Sequence, residues 1–298
     1  GSLYDALYGT DALPGAAEGK GYDAARGAQA VAWAAEFLDG ALPLARGSHK
    51  DAQAYAIKDG AVSVTLSDGE TGLADPAAYR GEASDGAQHS YLCAHNGLHI
   101  ELVFDPTHPV GAASPSGLRD VVLESALTAI QDCEDSIAAV DAEDKVAVYR
   151  NWLGLMKGDL SERFEKGGKT LTRALNPDRS FAAPDGTTLT LPGRAVLLVR
   201  NVGHLMTTDA VMMNGAETPE GIMDAVMTVA AALHDLAKTD GPRNSRTGSV
   251  YVVKPKMHGP EEVAFAAETF DRVEEILGLP RHTVKLGIMD EERRTSVN

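Results

Sequence analysis

The stretch from Val250 onward limits the possible folds of this chain more than any other. Val250–Lys256 (VYVVKPK) is a β-branched run, residues 260–277 have the spacing of an amphipathic helix, and residues 283–289 read as a second strand. That strand runs straight into Asp290-Glu291-Glu292-Arg293-Arg294, and Asn298 follows shortly after. Parallel strands are buried on both faces and need helices over them. A strand that ends in carboxylates with no helix after it therefore reads as a barrel cut open. The chain also begins at Gly1, so neither end is expected to be a natural terminus.

The same rhythm extends upstream. Residues 126–131 (ALTAIQ) read as a buried strand, and residues 141–156 as a helix with Val146, Tyr149, Trp152 and Leu153 on one face. Residues 194–200 (RAVLLVR) form the next strand, and a helix follows near residues 221–236. Strands alternating with helices predict parallel β/α units. The helix from Pro260 has Pro at its first position, Glu261 and Glu262 at the positive end of its dipole, and Gly278 and Pro280 to stop it. Residues 1–125 differ, being rich in Gly, Ala and Asp. They offer a helix near residues 22–38 and strands at Ala61–Leu66 and Leu98–Phe104. Residues 158–193 carry turn signals (Gly167-Gly168, Asn176-Pro177-Asp178, Pro184-Asp185-Gly186) around Thr-rich strands. The fold class expected is α/β: a partial (β/α)₈ barrel of about four strands with an inserted α/β domain. The expected domains are 1–125 and 158–193 as the two segments of the insert, with 126–157 and 194–298 as barrel units.

Composition narrows the function. A formal charge of -16 across 298 residues argues against a nucleic-acid-binding surface. Cys93 and Cys133 do not make a disulfide scaffold, which fits a reduced, cytoplasmic setting. Acidic neighbours would raise the Cys133 thiol pKa and disfavour a nucleophilic role. No stretch is long and apolar enough to predict a membrane span.

Barrel enzymes place their chemistry at the C-terminal ends of the strands. Each inferred strand is charged there: Asp132-Cys133-Glu134-Asp135-Ser136, Arg200-Asn201 with His204 beyond, Lys254-Pro255-Lys256-Met257-His258, and Asp290 to Arg294. A run of such ends, each after an apolar strand, predicts a polar ring above a core. The carboxylates at 132–135 and 290–292 could hold a hard divalent cation. At this point it stays open whether Glu291 and Glu292 simply pair with Arg293 and Arg294. Arg200 follows a strand too apolar to be exposed, so its permanent charge needs a carboxylate partner or an anionic substrate. His204, His258 and His282 lack the spacing of a zinc set.

With those residues in view, the chain resembles the malate synthases of the G type. The resemblance rests on RNVGHLMT from Arg200, NSRTGS from Asn244, KPKMHGP from Lys254 and GIMDEERRT from Gly287. YRNWLGL from Tyr149 and the opening GSLYDALYGTD agree with it. It implies a (β/α)₈ barrel with an inserted α/β domain, and an acyltransferase of the glyoxylate cycle. That enzyme condenses acetyl-CoA with glyoxylate using Mg²⁺ and hydrolyses malyl-CoA to malate and CoA. Carried over by position, Arg200 contacts glyoxylate and stabilises the acetyl-CoA enolate, and Glu291 is a direct Mg²⁺ ligand that also faces glyoxylate. Glu134 is an active-site glutamate beside the metal, while Ser136 and Arg173 contact the CoA moiety. A monomeric full-length protein is implied.

The family's second metal carboxylate, its aspartate general base, its first barrel strand and its adenine-gripping loop have no counterpart here. The chain alone is therefore expected to be inactive. Two alternatives stand beside this expectation. One is a CoA-ester lyase acting on malyl-CoA or citramalyl-CoA, and the other is a non-catalytic binding module.

Overall fold

Four parallel strands lie side by side in chain order: Thr128–Asp132, Val196–Arg200, Val250–Lys254 and Val284–Ile288. They belong to a computed structural model that describes residues 1–15, 21–124 and 128–298. Helices Ala142–Lys157, Glu220–Leu236 and Pro260–Leu277 connect them. Sequential parallel neighbours joined by helices are the arc of a singly wound barrel, and among the described residues the arc is open. Of the first expected strand, Ala126 and Leu127 lie outside the described residues. The strand itself runs on to Asp132, which lies in register with Arg200. That pairing puts a carboxylate and a guanidinium at the same height on neighbouring strands.

The local signals work as the sequence suggests. Asp141 caps its helix by accepting from Asp144 N–H, and Gly158 ends it in the left-handed conformation at φ 84. Pro260 opens the last long helix and Gly278, at φ 67, closes it. The apolar core gathers Trp152, Val199, Val229, Val252 and Phe270, all buried between the sheet and these helices. The helical face expected at 141–156 needs one correction. Val146 is half exposed, and Lys145 takes the inward position beside it, because carboxylates on the neighbouring helix hold its ammonium. A short helix, Arg293–Val297, follows the last strand where none was expected. It spans five residues, too few to cover the sheet. A hairpin, Thr207–Met213 with Ala216–Pro219, also went unanticipated. Its turn is Asn214-Gly215, both at positive φ (54 and 79), the pair that suits a tight hairpin.

The chain divides into two compact units, Gly1–Ala126 with Arg179–Leu191 and Leu127–Asp178 with Pro192–Asn298. The first holds a six-stranded antiparallel sheet, a three-stranded sheet and helix Ala24–Ala41 over a core that includes Leu38, Val64, Leu102 and Phe104. Segment Arg179–Leu191 joins it because Arg179 forks both guanidinium nitrogens onto buried Glu101, each at 2.6 Å. Residues 158–178, read in sequence with this insert, group instead with the parallel sheet. Among the described residues their hairpin, Ser161–Lys166 with Lys169–Ala174, forms a separate two-stranded sheet.

Candidate active site at the strand ends

Arg200 ends the second parallel strand with its side chain buried. Its Nη2 donates to Glu134 Oε2 at 2.9 Å and Asp135 Oδ2 at 3.1 Å, and reaches Glu291 Oε1 at 3.4 Å. Asp132 Oδ2 lies 3.7 Å from Nη1. Burial works against the charge of Arg200, but these four carboxylates outweigh it and raise the pKa. Glu291 thus turns to Arg200 and not to the arginines that follow it in sequence. Three strand ends meet at one guanidinium.

The carboxylates are held from behind. Asp132 accepts from Glu134 N–H at 2.8 Å, and from Ser136 N–H and Oγ–H at 3.0 and 2.6 Å. Burial disfavours its charge, yet those donors and Arg200 prevail and its pKa falls. Glu134 accepts the Gly203 N–H at 2.9 Å. Lys256 Nζ lies 3.1 Å from Glu134 and 3.0 Å from Asp135, and its backbone N–H donates to Glu291 at 3.1 Å. The Lys256 backbone adopts φ 54, a strained conformation for a side chain of its size. That strain aims the N–H at Glu291.

Among the described residues, one donor in the cluster has no protein partner: Arg200 Nε is buried without a hydrogen bond. A buried unpaired donor of a charged group is costly unless something else supplies the acceptor. A metal can be tested against the same atoms. Among the described residues, no three His, Cys, Asp or Glu side chains form a group that could hold one. Mg²⁺ needs less from a protein: one or two carboxylates, with water and substrate oxygens completing six positions. Glu291, partly exposed and offering only hard oxygens, fits as one such ligand.

Arg200, Glu134 and Glu291 are brought together. Ser136 stands beside them, its hydroxyl committed to Asp132. Arg173 lies on the exposed hairpin with its guanidinium 5.0 Å from the Phe164 ring centre, and no described contact links it to the cluster. Lys256 and Gly203 were not singled out as site members, although both sit inside the quoted motifs. Asn244 was also missed. Its amide accepts from Leu197 N–H at 2.7 Å and donates to Leu197 O at 3.0 Å, replacing a strand neighbour. Least legible was a buried cluster between two helices. Lys145 Nζ lies 2.5 Å from Glu220 and 2.9 Å from Asp224, and Tyr149 donates to Asp224 at 2.5 Å.

An arc of parallel β/α units whose strand ends converge on one arginine defines a barrel-type enzyme site with an inserted α/β domain. Comparison with known proteins gives the family. Residues 196–298 match the malate synthase TIM barrel domain, and residues 22–93 match the malate synthase G alpha-beta insertion domain. Along its whole length the chain is 54% identical to malate synthase G of Halalkalibacterium halodurans and of Corynebacterium efficiens, and 53% identical to that of Corynebacterium glutamicum. It covers 42%, 40% and 41% of those proteins respectively, about two fifths of their length. The chain belongs to the malate synthase G family.

Proposed function

We propose that the polypeptide containing this chain is a malate synthase, an acyltransferase that joins acetyl-CoA to glyoxylate. The carbon–carbon bond forms between the acetyl methyl carbon and the aldehyde carbon. Water then cleaves the thioester, releasing malate and free CoA. The observation that carries this reading is Arg200, clamped on Nη2 by carboxylates from two strand ends, with its buried Nε unpaired among the described residues. A thioester α-proton is very weakly acidic, so the enolate oxygen needs a fixed positive charge in a poorly solvated place. Arg200 supplies that charge and orients the glyoxylate carboxylate. Glu291 would hold Mg²⁺ with Glu134 beside it. When bound, the ion polarises the glyoxylate carbonyl as a Lewis acid. Lys256 and Gly203 keep Glu134 turned toward Arg200. Ser136 and Arg173 are proposed CoA contacts, Ser136 from the strand-end turn and Arg173 from the exposed hairpin.

Activity is assigned to the longer polypeptide, a cytoplasmic monomer, and the chain by itself is expected to be inactive. Among the described residues no helix is long and apolar enough to cross a membrane. The test is release of free thiol from acetyl-CoA plus glyoxylate by the longer polypeptide, with and without a chelator. Glyoxylate- and Mg²⁺-dependent release supports the proposal. Cleavage of malyl-CoA to acetyl-CoA and glyoxylate with no thiol released would replace it with a lyase.

A further inference from the structure

Lys254 ends the third strand, but unlike Arg200 and Lys256 it points away from the carboxylates and is buried. Its amine donates to Asn201 Oδ1 at 2.8 Å and to Val202 O at 2.6 Å. Asn201 in turn donates from Nδ2 to Gly221 O at 3.0 Å, and its backbone N–H reaches Val253 O at 3.0 Å. Two residues beyond Asn201, Gly203 gives its N–H to Glu134. A continuous tie therefore runs from the third strand, through the turn after Arg200, to the glutamate facing that arginine. The space for it is built in. A Cβ on Gly221 would lie 2.7 Å from Lys254 Nζ and 2.9 Å from Asn201 Oδ1, contacts that real Cβ atoms do not make. Buried lysines are rare unless paired with charge, yet both acceptors here are neutral. Burial accordingly lowers the Lys254 pKa to about 8, with Asp224 and Glu134 partly opposing that.

We propose that Lys254 is a positioning residue for the strand-end site: its amine fixes the Asn201-Val202-Gly203 turn and thereby holds Arg200 and Glu134 in register. The inference rests on the malate synthase reading only for its catalytic readout. Displacement of a reacting group by about an ångström costs on the order of a hundredfold in rate.

In the complete polypeptide, Lys254→Met is expected to lower kcat about 10- to 100-fold while KM for acetyl-CoA stays within about twofold. Asn201→Ala cuts the same tie, so the double variant should be no slower than the worse single variant. Amide exchange at Gly203 should quicken on the order of tenfold in either single variant. A folded Lys254→Met enzyme with kcat within about twofold of the parent and unchanged exchange at Gly203 overturns the proposal. If the parent releases no thiol at all, the functional reading fails alone, and exchange at Gly203 still decides this one. Should Lys254→Met not fold, Gly221→Ala presses on the intact amine and is read by the same two measurements.

Discussion

Two charge clusters in the same compact unit solve opposite problems with the same residue types. At the strand ends, Arg200 gathers four carboxylates, two of them well solvated: the Asp135 side chain is 55% exposed and that of Glu291 30%. Between helices Ala142–Lys157 and Glu220–Leu236, Lys145 holds Glu220 and Asp224 with almost no exposure. Among the described residues each cluster leaves one buried atom unpaired, and the two atoms differ in kind. Arg200 Nε is a donor at the end of a strand, whereas Asp224 Oδ2 is an acceptor between two helices. Burial raises the Asp224 pKa even though Lys145 and Tyr149 favour its charge. The difference teaches that a buried ion pair does not mark a site.

Substitutions should dissociate the two clusters. Lys145→Met leaves two buried carboxylates uncompensated, which costs about 3–5 kcal/mol. The loss should appear in denaturant unfolding followed by the fluorescence of Trp152, buried in this same unit. Adding Asp224→Leu should recover much of it. Arg200→Lys should show the reverse pattern. Its charge survives but the planar fork does not, so kcat of the complete polypeptide should fall about 10²–10³-fold, while the stability loss should be smaller than that of Lys145→Met because the charge is kept. A variant at Arg200 that unfolds the unit while the remaining folded molecules turn over normally would erase the distinction.

The two buried lysines sharpen it further. Burial opposes the charge of Lys145, but its carboxylate partners prevail and raise its pKa, whereas Lys254 with neutral partners is lowered to about 8. Between pH 8 and the ordinary lysine value the unfolded chain holds a proton that folded Lys254 has lost. Stability contributed through Lys254 therefore rises with pH across that window, by roughly 3 kcal/mol in all. Unfolding measured from pH 7.5 to 10.5 should show this slope in the parent and not in Lys254→Met. The smallest effect is expected at the rim. Losing even an outer partner of a metal ligand costs about 10- to 100-fold in affinity. Glu291→Gln should raise the Mg²⁺ needed for half-maximal rate by at least that much. An unchanged Mg²⁺ requirement would remove Glu291 from the proposed ligand set.

What could be read in the sequence follows from the range of the forces involved. The helix from Pro260 was legible to its last residue because its stop and start signals are local. Strands Ala61–Leu66 and Leu98–Phe104 form with the bounds their alternation gives. Arg200 stood out because an apolar strand leads directly into a permanent charge. Lys145 did not, since its burial depends on Glu220 and Asp224 some 75 residues away, and helical spacing alone favoured Val146. The hairpin after Arg200 was written in Asn214-Gly215, but its strands are largely exposed and carry no core pattern. The role of residues 158–178 was obscured because turn-rich hairpins look alike whichever unit they pack with.

The side-chain amide of Asn244 matters for where the guanidinium sits. By bonding both polar backbone groups of Leu197, it pins the second strand lengthwise at its lower end. A slip of one residue would carry Arg200 about 3.3 Å along the strand and turn it to the opposite face of the sheet. A loop 47 residues downstream thus sets the elevation of the arginine three positions above its anchor.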